Sequence, residues 1–275
     1  MDIKKVRIGV ALSSGGARGF AHVGVLKALL EAGLDVVQVA GSSMGSIMAA
    51  GYAIRGDIAE LEQRVLAFRA RDHTRRGLPI MNPARITAFL DDILGGAVFT
   101  DCAVPLAIVA TDLERRTTTT LTDGPVALAT FASMAMPFVH RPVPWEGRLL
   151  AEGSLSCVLP LRQARATGVD LVIGSLVSKE RPRLNGLMAG VAQSAGRAIR
   201  GWQRSYVDFF RARPGSQDAV GEHGDDTAAP PAVIVAPRLD RIGQFDFRKM
   251  REAIAAGEEA VAAKLGEITA LLGRD

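Results

Sequence analysis

The stretch VRIGVALSSGGARGFAHVGVLKALLEAGLDVVQVA, residues 6–40, decides the fold. Two short runs rich in β-branched residues, VRIGVAL (6–12) and DVVQVA (35–40), bracket FAHVGVLKALLEAG, whose apolar residues recur at helical spacing and which stops at Gly33. Strand, helix and strand in that order make a βαβ unit, and a chain built from such units forms an α/β fold around a mostly parallel sheet. The joint between the first strand and the helix is SSGGARG, residues 13–19. Backbone N–H groups at such a joint face outward at the positive end of a helix, where a phosphate or a developing oxyanion can sit.

The alternation continues outward from this unit. PLAIVATDL (105–113), RTTTTLT (116–122), DLVIGSLV (170–177) and AVIVAP (232–237) read as strands. Helical patterns run to about Ile54, over DIAELEQRVLAFRA (57–70), over 186–212 and over FRKMREAIAAGEEAVAAKLGEITALL (247–272). NPARITAFLDDILGG is sharply bounded, with Asn82 as N-cap, Pro83 at the first helical position and Gly95 past the end. Residues 214–231, PGSQDAVGEHGDDTAAPP, form a low-hydrophobicity stretch that reads as a mobile loop. The expectation is one domain over 1–275, with a core over about 6–180, a helix over 186–212 and a closing strand and helix over 232–272.

With 275 residues, 48% of them hydrophobic, the chain can bury one substantial core. Its net charge of +4, spread without a basic tract or zinc-finger spacing, argues against nucleic acid as a partner. Cys102 and Cys157 lie far apart and form neither a C-x-x-C pair nor part of a metal cluster. They read as buried thiols of a reducing compartment, and no metal or other cofactor is expected. The apolar run near the start passes straight into the Gly-rich turn, unlike a cleaved leader, and no run of roughly 18 apolar residues offers a membrane span. The expected location is the cytoplasm.

Two motifs carry chemistry. The Gly-rich turn nearly follows G-x-G-x-x-G, but Ser14 replaces the first glycine and the second strand ends in QVAGSS without the carboxylate that would meet a ribose. No G-K-[ST] follows either, which excludes a P-loop and leaves an oxyanion hole as the favoured reading beside a structural tight turn or a dinucleotide site. Directly after the second strand, Gly41-Ser42-Ser43-Met44-Gly45 satisfies G-x-S-x-G with Ser43 central and a helix following. Glycine is needed on both sides because a nucleophile on a sharp strand-to-helix turn forces neighbouring backbone close together. Small-residue helix packing would also account for part of GSIMAAGYA, but the strand-turn-helix context favours a nucleophile elbow.

A serine triad needs a histidine. His22 falls within the first helix, His73 among arginines, His140 in PFVHRPVP and His223 in the low-hydrophobicity stretch, and none has a triad context. Instead, SGGARGFAHVGVLKAL, AGSSMGSIMAAGYA, VATDL, ASMAMPFVHRPV and LLAEGSLSCVLPL occur in the order and at about the spacing of the patatin-like phospholipases. The chain most resembles small bacterial members related to the neuropathy-target-esterase catalytic domain. The likeness runs from about Ile8 to Pro160, and VIVAPRLDRIGQFDFRKMREAIAAGEEA resembles the end of those proteins.

That resemblance implies a three-layer patatin-like fold, with helices flanking the central sheet, and a Ser-Asp dyad without histidine. Ser43 then becomes the nucleophile, with Gly41 and Gly45 in its elbow. Gly15, Gly16, Ala17 and Arg18 fall in the oxyanion turn. The family's Asp-Gly-Gly or Asp-Gly-Ala is Glu152-Gly153-Ser154 here, so Glu152 is the base and Gly153 its turn. Glutamate keeps the carboxylate but moves its oxygens by up to about 1.5 Å, and a misplacement near 1 Å can cost roughly a hundredfold in rate. Hydrolysis of phospholipid, lysophospholipid or related acyl-lipid esters is the implied activity, and a weak or inactive member that binds lipid or a regulatory protein is the alternative. A lipid substrate also implies peripheral contact with the anionic inner face of a membrane. Leu187, Val191, Ile199, Trp202, Tyr206 and Phe209 form an apolar stripe beside Arg197, Arg200, Arg204 and Arg211 that could meet that surface, the core, or a second copy in a homo-oligomer.

Overall fold

The computed structural model describes residues 6–67, 83–165, 168–178, 201–211 and 230–273. Five parallel strands form the body of the sheet: β1 (Arg7–Leu12), β2 (Asp35–Ser42), β3 (Leu106–Asp112), β7 (Leu171–Ser175) and β8 (Ala232–Val235), in the order β3-β2-β1-β7-β8. Three antiparallel strands extend it beyond β3: β4 (Thr117–Leu121), β5 (Val143–Trp145) and β6 (Arg148–Ala151). β1, β3 and β7 are apolar almost throughout because parallel strands in this setting are covered on both faces.

The alternation of side chains sorts two cores. Ile8, Val10, Leu12, Leu106, Ile108 and Ala110 share one cluster with the helices α1 (Ala21–Glu31), α2 (Met44–Arg55), α3 (Ile58–Ala67), α4 (Pro83–Leu94) and α5 (Val126–Ser133). Ala11, Ala40, Ala107 and Val172, pointing the other way, pack with Leu159, Leu161, Ala164 and Val169. Helix α6 (Gln203–Arg211) adds a third cluster in which Tyr206 and Phe209 cover Leu113 and Ala151. The layers are therefore helices, sheet and a second cover.

Most strand expectations hold to within one or two residues, and the differences have physical causes. β2 runs past Ala40 because Gly41 and Ser42 still pair with Ile108 and Val109. The closing helix is two helices, α7 (Met250–Ala262) and α8 (Leu265–Leu271). Lys264 N–H bonds to Val261 O, three residues back, which tightens the last turn. The bend after it leaves Ile268 fully buried. Of the helix expected over 186–212, only its end falls within the described residues, and residues 212–229 and the Asn82 cap fall outside them. Among the described residues, no helix is long and apolar enough to cross a membrane.

The register around β3 positions the site. β4 pairs with Ile108 to Asp112 along one side of β3, so the strands that pair with Val109 and with Thr111 must both lie on the other side. There β2 ends with Ser42 opposite Val109, and β6, running the opposite way, ends with Ala151 opposite Thr111. The two strands meet end to end along one edge of β3, and the next residue of each, Ser43 and Glu152, turns out of the sheet at the seam.

Candidate active site

Ser43 occupies the turn between β2 and α2 at φ 53 and ψ −123, a region that non-glycine residues rarely adopt. Its backbone is fastened on both sides. The Ser43 N–H donates to Ser133 Oγ at 2.8 Å, and the Ser133 hydroxyl donates onward to Val109 O at 2.7 Å. Ser43 O receives the Ser46 hydroxyl at 2.6 Å and the Ser46 N–H at 2.8 Å. The flanking glycines are sites of close approach: a Cβ on Gly45 would run into Leu12 O, and one on Gly41 into Gly45 O.

Glu152 follows β6, and its N–H bonds to Ala135 O at 3.1 Å. Thr111 Oγ1 donates to Glu152 O at 2.8 Å, fixing the acid turn to β3. The side chain is 5% exposed, and burial pushes its carboxyl up to about 7, a rise partly opposed by hydrogen bonds from the Ser43 side chain and from the backbone and hydroxyl of Ser154. A carboxyl poised near neutrality beside a serine hydroxyl is what a general base requires. Glu152 and Ser43 both line the cleft.

Gly153 is wedged between these parts. A Cβ there would lie 2.5 Å from Val109 O and 2.8 Å from Ser42 Oγ. Gly153→Ala is expected to displace the acid turn and lower turnover by about a hundredfold or more, while far-UV circular dichroism keeps the wild-type form. Activity close to wild type would mean that the base does not depend on this seam.

The four residues of the Gly-rich turn have different surroundings. Gly15 and Gly16 line the cleft with Ser43, and their N–H groups meet no acceptor among the described residues. Ala17 N–H already donates to Gln244 O at 2.8 Å, and Arg18 N–H to Gly15 O at 3.3 Å. The Arg18 side chain points away, with Nε on Ile242 O at 2.7 Å. The turn is held from below by His22, which bonds Ser175 Oγ and Ser13 O, each at 2.8 Å. Full burial pushes its imidazole down to about 4, so it stays neutral and serves as a tie.

His140 lines the same cleft but has the wrong tautomer to be a base. Its Nδ1 accepts the Met136 N–H at 3.1 Å, which leaves the proton on Nε2. Burial holds this imidazole down at about 4 as well. His73 and His223 lie outside the described residues. Both cysteines are free: Cys102 is half-buried, and burial pushes the Cys157 thiol up to about 12. Among the described residues, no three His, Cys, Asp or Glu side chains gather as a metal site.

The cleft has two limbs that meet at Ser43 and Glu152. One, about 600 Å3 and open to solvent, is walled by Phe20, Met44, Ile47, Ile86, Met134 and Phe247. The other, about 560 Å3, carries Ser14, Ser154, Pro137 and Leu155. Gln244 and Phe245 border both, and Phe245 is 44% exposed at the mouth. Residues 244–247 and Tyr206 were not singled out for the site by sequence. Tyr206 is fully buried behind the acid turn, its hydroxyl directed at His140 O (3.2 Å) and Ala135 O (3.4 Å).

Residues 10–165 match the family model described as patatin-like phospholipase. The chain belongs to the patatin-like phospholipase family. Among patatin-like relatives it is 37% identical over 196 residues to the uncharacterized NTE family protein Rv1063c of Mycobacterium tuberculosis, covering 69% of this chain and 52% of that protein. Human patatin-like phospholipase domain-containing protein 6 is 31% identical over 182 residues, covering 60% of this chain and 13% of that protein. The chain thus spans about half the length of the mycobacterial relative, and far less of the human one. VipD from Legionella pneumophila shares the fold, with a TM-score of 0.51 at 13% identity, covering 96% of this chain and 67% of that one.

Proposed function

We propose that this patatin-like protein is a serine acyl hydrolase that cleaves ester bonds of phospholipids, lysophospholipids or related acyl lipids. The observation that carries the reading is Ser43 at a positive φ on a strand-to-helix turn, lining one cleft with the buried Glu152 carboxyl, which burial holds near neutrality. Glu152 takes the Ser43 proton as Oγ attacks the ester carbonyl, and the tetrahedral oxyanion is met by the N–H groups of Gly15 and Gly16. Collapse expels the alcohol, which receives the proton from Glu152. The same carboxylate then draws a proton from the water that attacks the acyl-enzyme and returns it to Ser43 Oγ as the acid leaves. The apolar limb suits the acyl chain, and the limb with Ser14 and Ser154 suits the alcohol portion.

Contact with an anionic membrane belongs to the same proposal, but α6 supplies less of it than its sequence stripe implies. Tyr206 and Phe209 are buried against Leu113 and Ala151, so the exposed apolar contribution described at the cleft is Phe245. A cytoplasmic location at the inner membrane face accords with this reading.

The test is a fluorophosphonate probe combined with p-nitrophenyl acyl esters. The expected result is turnover, with the label mapped to Ser43 by peptide mass spectrometry. A folded protein that is inert and unlabelled would sink the hydrolase reading. The second reading, a lipid-binding member with little turnover, draws on the longer acid and on the Ala17 N–H already engaged by Gln244 O. It predicts retention of lipid without release of acid.

A further inference from the structure

The acid turn hangs on a chain of hydroxyls that begins on β4, across β3 from it. Thr111 is four residues from Ala107, so its side chain leaves the same face of the sheet, away from the core formed with α1 to α5. Thr118 is its antiparallel partner on β4 and shares that face. The segment after the acid turn crosses this face, where Leu159 and Leu161 pack in one cluster with Ala107. It brings Ser156 onto both threonines: Thr111 Oγ1 lies 2.8 Å from Ser156 Oγ, and Thr118 Oγ1 donates to Ser156 Oγ at 3.0 Å. Thr111 and Ser156 are buried, and Thr118 is half-buried at the outer end of the chain.

Counting protons fixes the direction of these bonds. A hydroxyl has one to give, and Thr111 gives its own to Glu152 O at 2.8 Å. Its contact with Ser156 is then donated by Ser156, whose oxygen receives the Thr118 proton. All three protons point toward the acid turn, and in such a chain each bond strengthens the next. The Leu155 N–H also reaches the Glu152 carbonyl, at 3.2 Å, but that bond lies within the turn. Thr111 is what ties the carbonyl to the sheet. The carboxyl of a glutamate stands about 4 Å from its Cα, so a backbone tilt of roughly 15° moves it by about 1 Å, enough to matter for rate. We propose that Thr111 is a positioning residue for Glu152 and that Ser156 and Thr118 orient its hydroxyl. In this way β4, which adds no residue to either limb of the cleft, helps to set the rate. The proposal rests on the hydrolase reading, with Glu152 as base.

The test pairs p-nitrophenyl acyl ester kinetics with hydrogen exchange of the peptide spanning 152–157. Thr111→Val keeps the shape of the side chain and removes the donor. It is expected to lower kcat by roughly tenfold to a hundredfold, with KM within about twofold of wild type, and to speed exchange in that peptide. Thr111→Ser should recover most of the loss. Adding Ser156→Ala to Thr111→Val should cost little more, because both act on one chain. Thr118→Val, at the half-buried end, is expected to lower kcat by about threefold at unchanged Tm, and it carries the test if Thr111→Val fails to fold. Wild-type kcat in either valine variant would overturn the proposal. So would a loss that tracks Tm and is not recovered by Thr111→Ser, or exchange in the 152–157 peptide that Thr111→Val leaves unchanged. A wild type without turnover or labelling, whose acid turn Thr111→Val still loosens, would count against the hydrolase reading alone.

Discussion

Ser43→Ala is expected to lower kcat/KM for acyl esters by about 10^4-fold or more and to abolish fluorophosphonate labelling. The variant should fold as wild type does, because what holds this turn is backbone. The N–H taken by Ser133 and the carbonyl taken by Ser46 both survive the substitution, and alanine at φ 53 is no more strained than serine. Normal Tm with lost turnover is the outcome that assigns the nucleophile. Retained turnover would move the chemistry elsewhere.

The second large effect concerns Glu152. With its carboxyl raised to about 7, the free enzyme holds the competent carboxylate only above that pH. The pH profile of kcat/KM should therefore climb through about 7 and level off. Glu152→Gln is expected to cost roughly 10^3-fold or more and to remove that limb of the profile. The same carboxyl works against folding at neutral pH. A folded-state value of about 7 against an ordinary 4.5 means that the protonated form is favoured in the fold. Its contribution to stability is full below about 4.5, fades as pH rises through 7 and is then gone. The span corresponds to about 3 kcal/mol, so Glu152→Gln should gain in Tm over wild type at pH 8 and much less at pH 4. Glu152→Asp separates two histories. A tenfold rise in kcat would show that glutamate detunes the dyad, and a fall would show that the seam is set for the longer acid.

Fold class, strand positions and the elbow were legible because each depends on local pattern. Ser43 lies between a β-branched run and a helical one, and its glycines announce close backbone. The β5–β6 hairpin left a weaker trace. Glu146 and Gly147, with φ of 48 and 75, form the mirrored two-residue turn that joins tight hairpins, but Pro144 and strands of three and four residues obscured it. That hairpin delivers Glu152, so the proposed base was legible only by likeness to a family motif. The meeting of Ser43 and Glu152 could not be read from periodicity, because it is set by the pairing of two strands with a third. Gln244 and Phe245 were missed for the same reason: they reach the cleft by long-range packing, and an exposed phenylalanine has no spacing that marks it as a cleft wall.

The cleft also draws on both ends of the chain. The family model closes at residue 165, yet Gln244 O accepts an N–H from the Gly-rich turn, and Phe245 and Phe247 frame the recess above Ser43. Two proteins can therefore share nucleophile, acid and glycines and still present different rooms around them. Under the proposed function the matched stretch carries the ester chemistry, and the shape of the room that receives the ester depends as well on residues beyond it.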